Sequence, residues 1–275
     1  MAGTLYVVAT PLGNLGDLSP RAADTLKRVA VVAAEDTRHS KPLLHHAGSH
    51  AALISFHEHS SDRALERILR ILTDGRDVAL ITDAGTPAIS DPGVALVAAA
   101  RERGIQVVTI PGPNAVAASL AVSGIPGDRY LFLGFLPRKG SDRRRFLVTA
   151  ARSEWTVVIF EAPNRVTQLL ADLIEVCGPE RQAAVSRELT KVFEETRAGT
   201  LQELSEHYAE APVRGEVTVV VSGTGKEHVE ERPPDPGDRA KALLAEGMSR
   251  KDVAHRLAEE TGISRNAAYR LVSEL

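Results

Sequence analysis

Three short stretches gather the residues best suited to shape a small-ligand pocket. The first is Thr10 to Ala22, TPLGNLGDLSPRA. Gly13 and Gly16 let the backbone approach a ligand closely, and Ser19-Pro20 is a helix start with serine as N-cap and proline at the first helical position. Such a strand-to-helix turn suits a nucleotide-like ligand, although its G-x-x-G spacing is not the dinucleotide fingerprint. A plain turn that needs glycine is the equal alternative. The second is Thr82 to Gly93, TDAGTPAISDPG, with two acids, two prolines and two glycines in twelve residues. A structural turn rarely needs that much constraint, so this loop points to a binding site. The third is Ile110 to Pro126, IPGPNAVAASLAVSGIP. Pro111-Gly112-Pro113 forces a sharp turn, and the small residues after it suit a closely packed helix.

Two other groups carry less. Glu35 and Asp36 fall about twenty residues after the glycines, where a nicotinamide-binding fold holds a ribose. The favoured reading is instead the acidic start of the next helix. His57-Glu58-His59 puts two histidines on one face of a strand, but no third ligand is evident and no metal is expected.

The elements that must position these loops follow from periodicity. Leu5–Thr10, Val29–Ala34, Ala52–Phe56, Val78–Thr82 and Gln106–Ile110 read as short strands, with helical spacing between them, as in Ala64, Ile68 and Leu72. That alternation predicts a mainly parallel sheet covered on both faces. A second set of strands is expected at Tyr130–Phe135, Trp155–Phe160, Ala183–Ser186 and Val217–Ser222. The expected organisation is an α/β domain over residues 1–126, a second, unlike α/β domain over 127–223, a linker over 224–237 rich in proline, and a helical module over 238–275. In that module Ser249 and Ser264 sit at N-cap positions, and Gly247 and Gly262 at C-cap positions.

Composition sets the outer limits. At 275 residues, 43% hydrophobic and 25% charged, the chain is globular and long enough for about two domains. The lone Cys177 excludes an intrachain disulfide and a cysteine-ligated zinc. The longest apolar run, Val94–Ala100, is far short of the ~20 residues of a membrane span, and no signal peptide is readable. A cytoplasmic protein with no membrane partner is expected. Net charge is −3, so no global case for nucleic acid exists, yet Arg138–Arg145 carries five cations against Asp142.

Taken together the loops resemble the tetrapyrrole methylase superfamily. Gly85-Thr86-Pro87 is similar to its Gly-Asp-Pro turn and Pro111-Gly112-Pro113-Asn114 to its Pro-Gly-x-Ser turn, with Thr86 replacing Asp and Asn114 replacing Ser. LYVVATPLGNLGDLSPRA, AAEDTR, SFHEH, TDAGTPAISDPG, IPGPNA, FLGFLPRKG and RELTKVFEE resemble the branch that methylates a cytidine 2′-hydroxyl in the decoding region of 16S RNA. The resemblance runs from Leu5 to Gly223 and more loosely into the tail.

The resemblance implies two unlike α/β domains with the cofactor, S-adenosylmethionine, in a cleft between them. Leu12, Gly13, Asp83, Gly85, Thr86, Pro87, Ile89, Asn114 and Ala115 would border it. A sulfonium is cationic, so that pocket should lack Lys and Arg. A base would help remove the ribose proton. Glu188 and Lys191 are the first candidates, the lysine with a lowered pKa, and Glu161 in FEAPNR is the next. The equal alternative for Glu188 and Lys191 is a solvated helix start. RNA phosphates call for cations, which points to Arg143, Arg144 and Arg145, with Arg38, Arg165 and Arg187 in the cleft. The partner is 16S RNA within the small ribosomal subunit, the expected assembly a homodimer. The tail resembles a helix-turn-helix, but its net charge of +1 is weak for DNA, which is not expected as a partner. A small-tetrapyrrole methyltransferase and a non-catalytic nucleic-acid-binding protein are the competing readings.

Overall fold

The computed structural model describes residues 2–57, 60–210, 213–225, 236–261 and 263–275. Glu58, His59, Gly262 and most of the expected linker therefore lie outside the described residues. Two compact units emerge. One comprises Met1–Ser123 together with Val185–Arg197 and Arg214–Thr218; the other comprises Gly124–Ala184, Ala198–Val213 and Val219–Leu275.

The first unit is built on β1 (Thr4–Val8), β2 (Val31–Ala34), β3 (Ala52–Ser55), β4 (Val78–Ile81) and β5 (Gln106–Ile110), in the order β3-β2-β4-β1-β5. All four pairings are parallel. Strands buried on both faces need apolar residues in both phases of the pleat. Leu5, Val31, Ala33, Val78 and Leu80 face one way, toward α3 (Asp62–Thr73) and α4 (Val94–Glu102). Val8, Val32, Ala34, Ala79 and Ile81 face the other, toward α1 (Pro20–Arg28) and α2 (Thr37–Ala47). Ser19 caps α1 through a 3.1 Å bond from Ala22 N, with Pro20 at its first position, as the sequence predicts. Strand β2 begins two residues later than expected because Val29 closes α1, its N–H bonding Thr25 O. Asp36 is the N-cap of α2, accepting from Arg38 N, which agrees with the favoured reading of that acid.

The second sheet is ordered β6-β7-β10-β8-β9, with β6 (Tyr130–Phe135), β7 (Thr156–Glu161), β8 (Gln182–Arg187), β9 (Glu195–Thr200) and β10 (Val217–Val221). Strands β6 and β7 are parallel, with a register shift at Phe132/Gly134 that Gly134 absorbs at φ +63°. Around them stand α6 (Ser141–Arg152), α7 (Val166–Cys177) and α8 (Leu201–Glu210), which bury Leu147, Leu169, Leu170, Leu173 and Leu204. The C-terminal helices α9 (Pro236–Ala245), α10 (Arg250–Thr261) and α11 (Arg265–Ser273) share a core of Leu243, Val253, Leu257, Ala268 and Val272. Ser249 and Ser264 bond the N–H groups of Asp252 and Ala267, and Arg239 pairs with Glu260 at 2.8 Å. Among the described residues no helix is long and apolar enough to cross a membrane.

Candidate active site

The three loops leave the carboxyl ends of β1, β4 and β5, adjacent strands of a parallel sheet, where α/β folds bind ligands. They are tied to one another. Thr10 N donates to Gly85 O at 2.8 Å and Gly85 N returns to Thr10 O at 3.1 Å. The Thr10 hydroxyl, wholly buried, donates to Thr82 O at 3.1 Å. Gly85 sits at φ +83°, and a Cβ there would stand 3.3 Å from the Leu12 side chain, so both conformation and space favour glycine. The second loop reaches the third through Thr86 Oγ1, which donates to Pro113 O at 3.2 Å and lies 3.5 Å from Asn114 Nδ2. Asn114 Oδ1 also accepts from Val116 N and Ala117 N, opening α5 (Ala115–Ser123). The two departures from the superfamily pattern, Thr86 and Asn114, are thus neighbours. Ala88 and Ser90 hold left-handed φ of 68° and 60°, a strained pair kept in place by the loop.

Beside these loops the first unit carries an open cavity of about 860 Å³, lined among others by Leu12, Gly13, Asp36, Asp83, Lys191 and Glu216. A ligand pocket is typically about 300–1,000 Å³. Lys191 belongs to a tight turn between β8 and β9, in which Glu188 and Thr190 adopt φ of 51° and 68°. The turn is pinned by Glu188 N to Glu216 O at 3.1 Å and Thr190 N to Glu194 Oε2 at 2.7 Å. The Lys191 stem lies across Gly13, so that a methyl group at Gly13 would overlap it. Its ammonium bonds Glu188 Oε1 at 2.9 Å and Glu216 Oε2 at 3.1 Å.

The charges of this cavity compensate one another. Partial burial works against the Lys191 charge, but the bonds to Glu188 and Glu216 outweigh it and raise its pKa. The hydrogen bond from Lys191 holds the Glu188 carboxyl low. Hydrogen bonds from the Arg38 side chain and backbone hold Asp36 well below the usual carboxylate range. Burial raises Asp83. Burial also pushes Asp91 up to about 6, aided by the charges of Glu35, Asp83 and Glu216 and opposed by a bond from Thr82.

The structure brings some expected residues together and disperses others. Leu12, Gly13 and Asp83 line the cavity, Gly85, Thr86 and Asn114 form the ties between loops, Ala115 opens α5, Pro87 is buried, and Ile89 stays 42% exposed. Glu188 and Lys191 meet, but they do not start a helix; the chain turns there and continues as β9. The lowered lysine pKa expected for a base is also reversed. Arg38 and Lys191 enter this cavity from outside the three loops.

Glu161 is in the second unit and only 1% exposed. Its Oε1 accepts from Ala162 N at 2.8 Å, its Oε2 from Arg165 Nη2 at 2.9 Å, and Arg143 Nη1 lies 3.9 Å away. Arg143 needs a correction: it is 7% exposed, its guanidinium bonding Asp172 at 2.7 Å and Pro137 O at 3.1 Å, so it faces the interior rather than a phosphate. Arg144 and Arg145 are exposed, Arg145 lying 3.4 Å from Asp142. Arg38 pairs with Asp36, Arg165 with Glu161 and Arg187 with Glu195. Glu216 and His39, which also line the cavity, went unseen in the sequence. Nothing local marks Glu216, which joins loop one only through the fold. Among the described residues no cluster of His, Cys, Asp or Glu could hold a metal ion.

Residues 4–205 match the tetrapyrrole (corrin/porphyrin) methylases. The chain belongs to the tetrapyrrole methylase family. Within the family it is similar to a ribosomal RNA small subunit methyltransferase I of Synechocystis sp., 43% identical over 99% of this chain and 98% of that protein. The Pseudomonas aeruginosa protein of the same name is 45% identical over 98% and 96%. Family folds that match include a cobalt precorrin-4 methyltransferase at TM-score 0.62 and 16% identity, covering 80% of this chain and 94% of that one. A uroporphyrin-III C-methyltransferase from Thermus thermophilus, complexed with S-adenyl homocysteine, matches at TM-score 0.58 and 19% identity over 80% and 97%. At those identities the likeness is one of fold.

Two outcomes are expected. Glu161→Gln should cost about 3–5 kcal/mol in denaturant unfolding, because it breaks a buried ion cluster; unchanged stability would show that Glu161 has no structural role. Asp91 holds its proton more tightly folded than unfolded, so its burial costs stability increasingly as pH rises from about 4 to about 6. Asp91→Asn should therefore melt above the parent at pH 7, by roughly 2–4 °C after allowance for solvent screening, with the gap closing at pH 4. Equal melting temperatures at both pH values would contradict this.

Proposed function

We propose that the chain transfers a methyl group from S-adenosylmethionine to the 2′-hydroxyl of a cytidine ribose in the decoding region of 16S RNA, on the small ribosomal subunit in the cytoplasm. The observation that carries the reading is the cavity that sets the Glu188–Lys191 pair against loop one, in a chain nearly collinear with methyltransferases named for small-subunit ribosomal RNA.

The charge distribution suggests which side takes which substrate. Neither Thr82–Gly93 nor Ile110–Pro126 contains a Lys or Arg, which suits a cationic sulfonium. Asp83, Gly85, Thr86, Pro87, Ile89, Asn114 and Ala115 would hold the donor there, with Leu12 and Gly13 on its border. When bound, S-adenosylmethionine supplies a methyl group already activated by its positive sulfur. The acceptor would lie in the cavity beside these loops, where the Lys191 ammonium keeps one N–H beyond its bonds to Glu188 and Glu216. Lys191, held cationic, orients an oxygen or phosphate of that acceptor. Glu188 accepts the ribose proton, but its low pKa makes it a weak base. Alignment then supplies most of the rate, an effect able to contribute about 7–11 kcal/mol. The exposed Arg144 and Arg145 are proposed as RNA contacts, residues 1–126, 127–223 and 238–275 as the functional domains, and a homodimer as the assembly.

The fold neighbours' names favour a second acceptor, a small tetrapyrrole. Labelled S-adenosylmethionine incubated with small subunits lacking their methylation separates the two. Label on one decoding-region ribose is expected, and label only on a precorrin would overturn the RNA reading. Glu188→Gln should lower kcat by about 10²-fold, the low end for a general base because its pKa is held low; a fall below threefold would remove it as the base.

A further inference from the structure

Along the edge strand β3 the first unit carries a groove of about 800 Å³ that the methyl-transfer site does not use. Leu53, Ile54 and Ile71 give it an apolar side, and Arg63, Arg67 and Arg70 of α3 a cationic one. At spacings of four and three residues these arginines form one stripe of the helix. All three are exposed and make no ion pair or hydrogen bond to another described residue. The acids nearby are otherwise engaged: Glu66 bonds Arg103 at 2.6 Å, Asp74 lies 4.0 Å from Arg76, and Asp62 sits in the first turn of α3, where the helix dipole favours it.

We propose that this groove binds the phosphate backbone of the RNA substrate outside the methylated nucleotide. The proposal rests on the RNA reading above. Charge complementarity selects the occupant. Unpaired guanidinium groups match phosphate oxygens, while the apolar side matches the carbon surface of riboses. The row spans about 10.5 Å of helix axis from Arg63 to Arg70. Helix α3 runs back against the parallel strands, so Arg63 lies at the end of the sheet that bears the three loops and Arg70 toward the other. An RNA strand that reaches the loops can therefore continue along the sheet edge.

The test is the triple variant Arg63→Gln/Arg67→Gln/Arg70→Gln in the full chain. Binding to undermethylated small subunits, and to a single-stranded RNA homopolymer, is measured across a salt series. The slope of log K against log salt is expected to fall by about 2, at ~0.7 per lost phosphate contact. Calorimetric S-adenosylmethionine affinity, which reports the fold, should be retained. An unchanged slope on both probes overturns the groove, whether or not the parent methylates subunits. So does a variant whose only change is self-association, since the arginines would then merely guard the edge strand. A reduced slope on the homopolymer, with no methylation by the parent, would uphold the groove and reject the 16S reading.

Discussion

The reciprocal hydrogen bonds between Thr10 and Gly85 are the constraint on which the site depends. They join the exits of two neighbouring parallel strands that the chain itself links only through three βα repeats. With the ends of β1 and β4 fixed, the second loop can lean on the third through Thr86 and Asn114. The cost is backbone in sparsely allowed regions at Ala88 and Ser90. A sheet buried on both faces by four helices is rigid enough to hold that strain at its rim.

The second organising feature is charge compensation. Lys191 and Arg38 reach a cavity beside acid-rich loops, and each is matched, by Glu188 with Glu216 and by Asp36. Matching keeps the lysine protonated at neutral pH, while the loops Thr82–Gly93 and Ile110–Pro126 carry no basic residue. It also explains why Gly13 has no side chain: the Lys191 stem occupies that space.

Much of this was legible in local patterns. The β-branched runs marked nine strands, and Ser19-Pro20 marked the start of α1, because those signals reside in a few adjacent residues. Strand β9 was not legible, since ETRAGT is polar and lacks alternation. Its existence changes the reading of Glu188 and Lys191 from a helix start to a strained turn. Arg143 looked like one cation among five. Only the packing of α6 and α7 reveals Asp172 beside it and removes it from the surface. Glu216 meets Lys191 through the tertiary fold alone, so no spacing rule finds it.

Calorimetric titration of S-adenosylhomocysteine into the chain, Gly85→Ala and Lys191→Ala tests the central claim most directly. The account predicts that Gly85→Ala weakens binding at least about tenfold, because a left-handed φ and the Leu12 contact resist a side chain. Lys191→Ala should leave affinity within about twofold. Full affinity in Gly85→Ala, or its loss in Lys191→Ala alone, would contradict a donor site built on the interlocked loops.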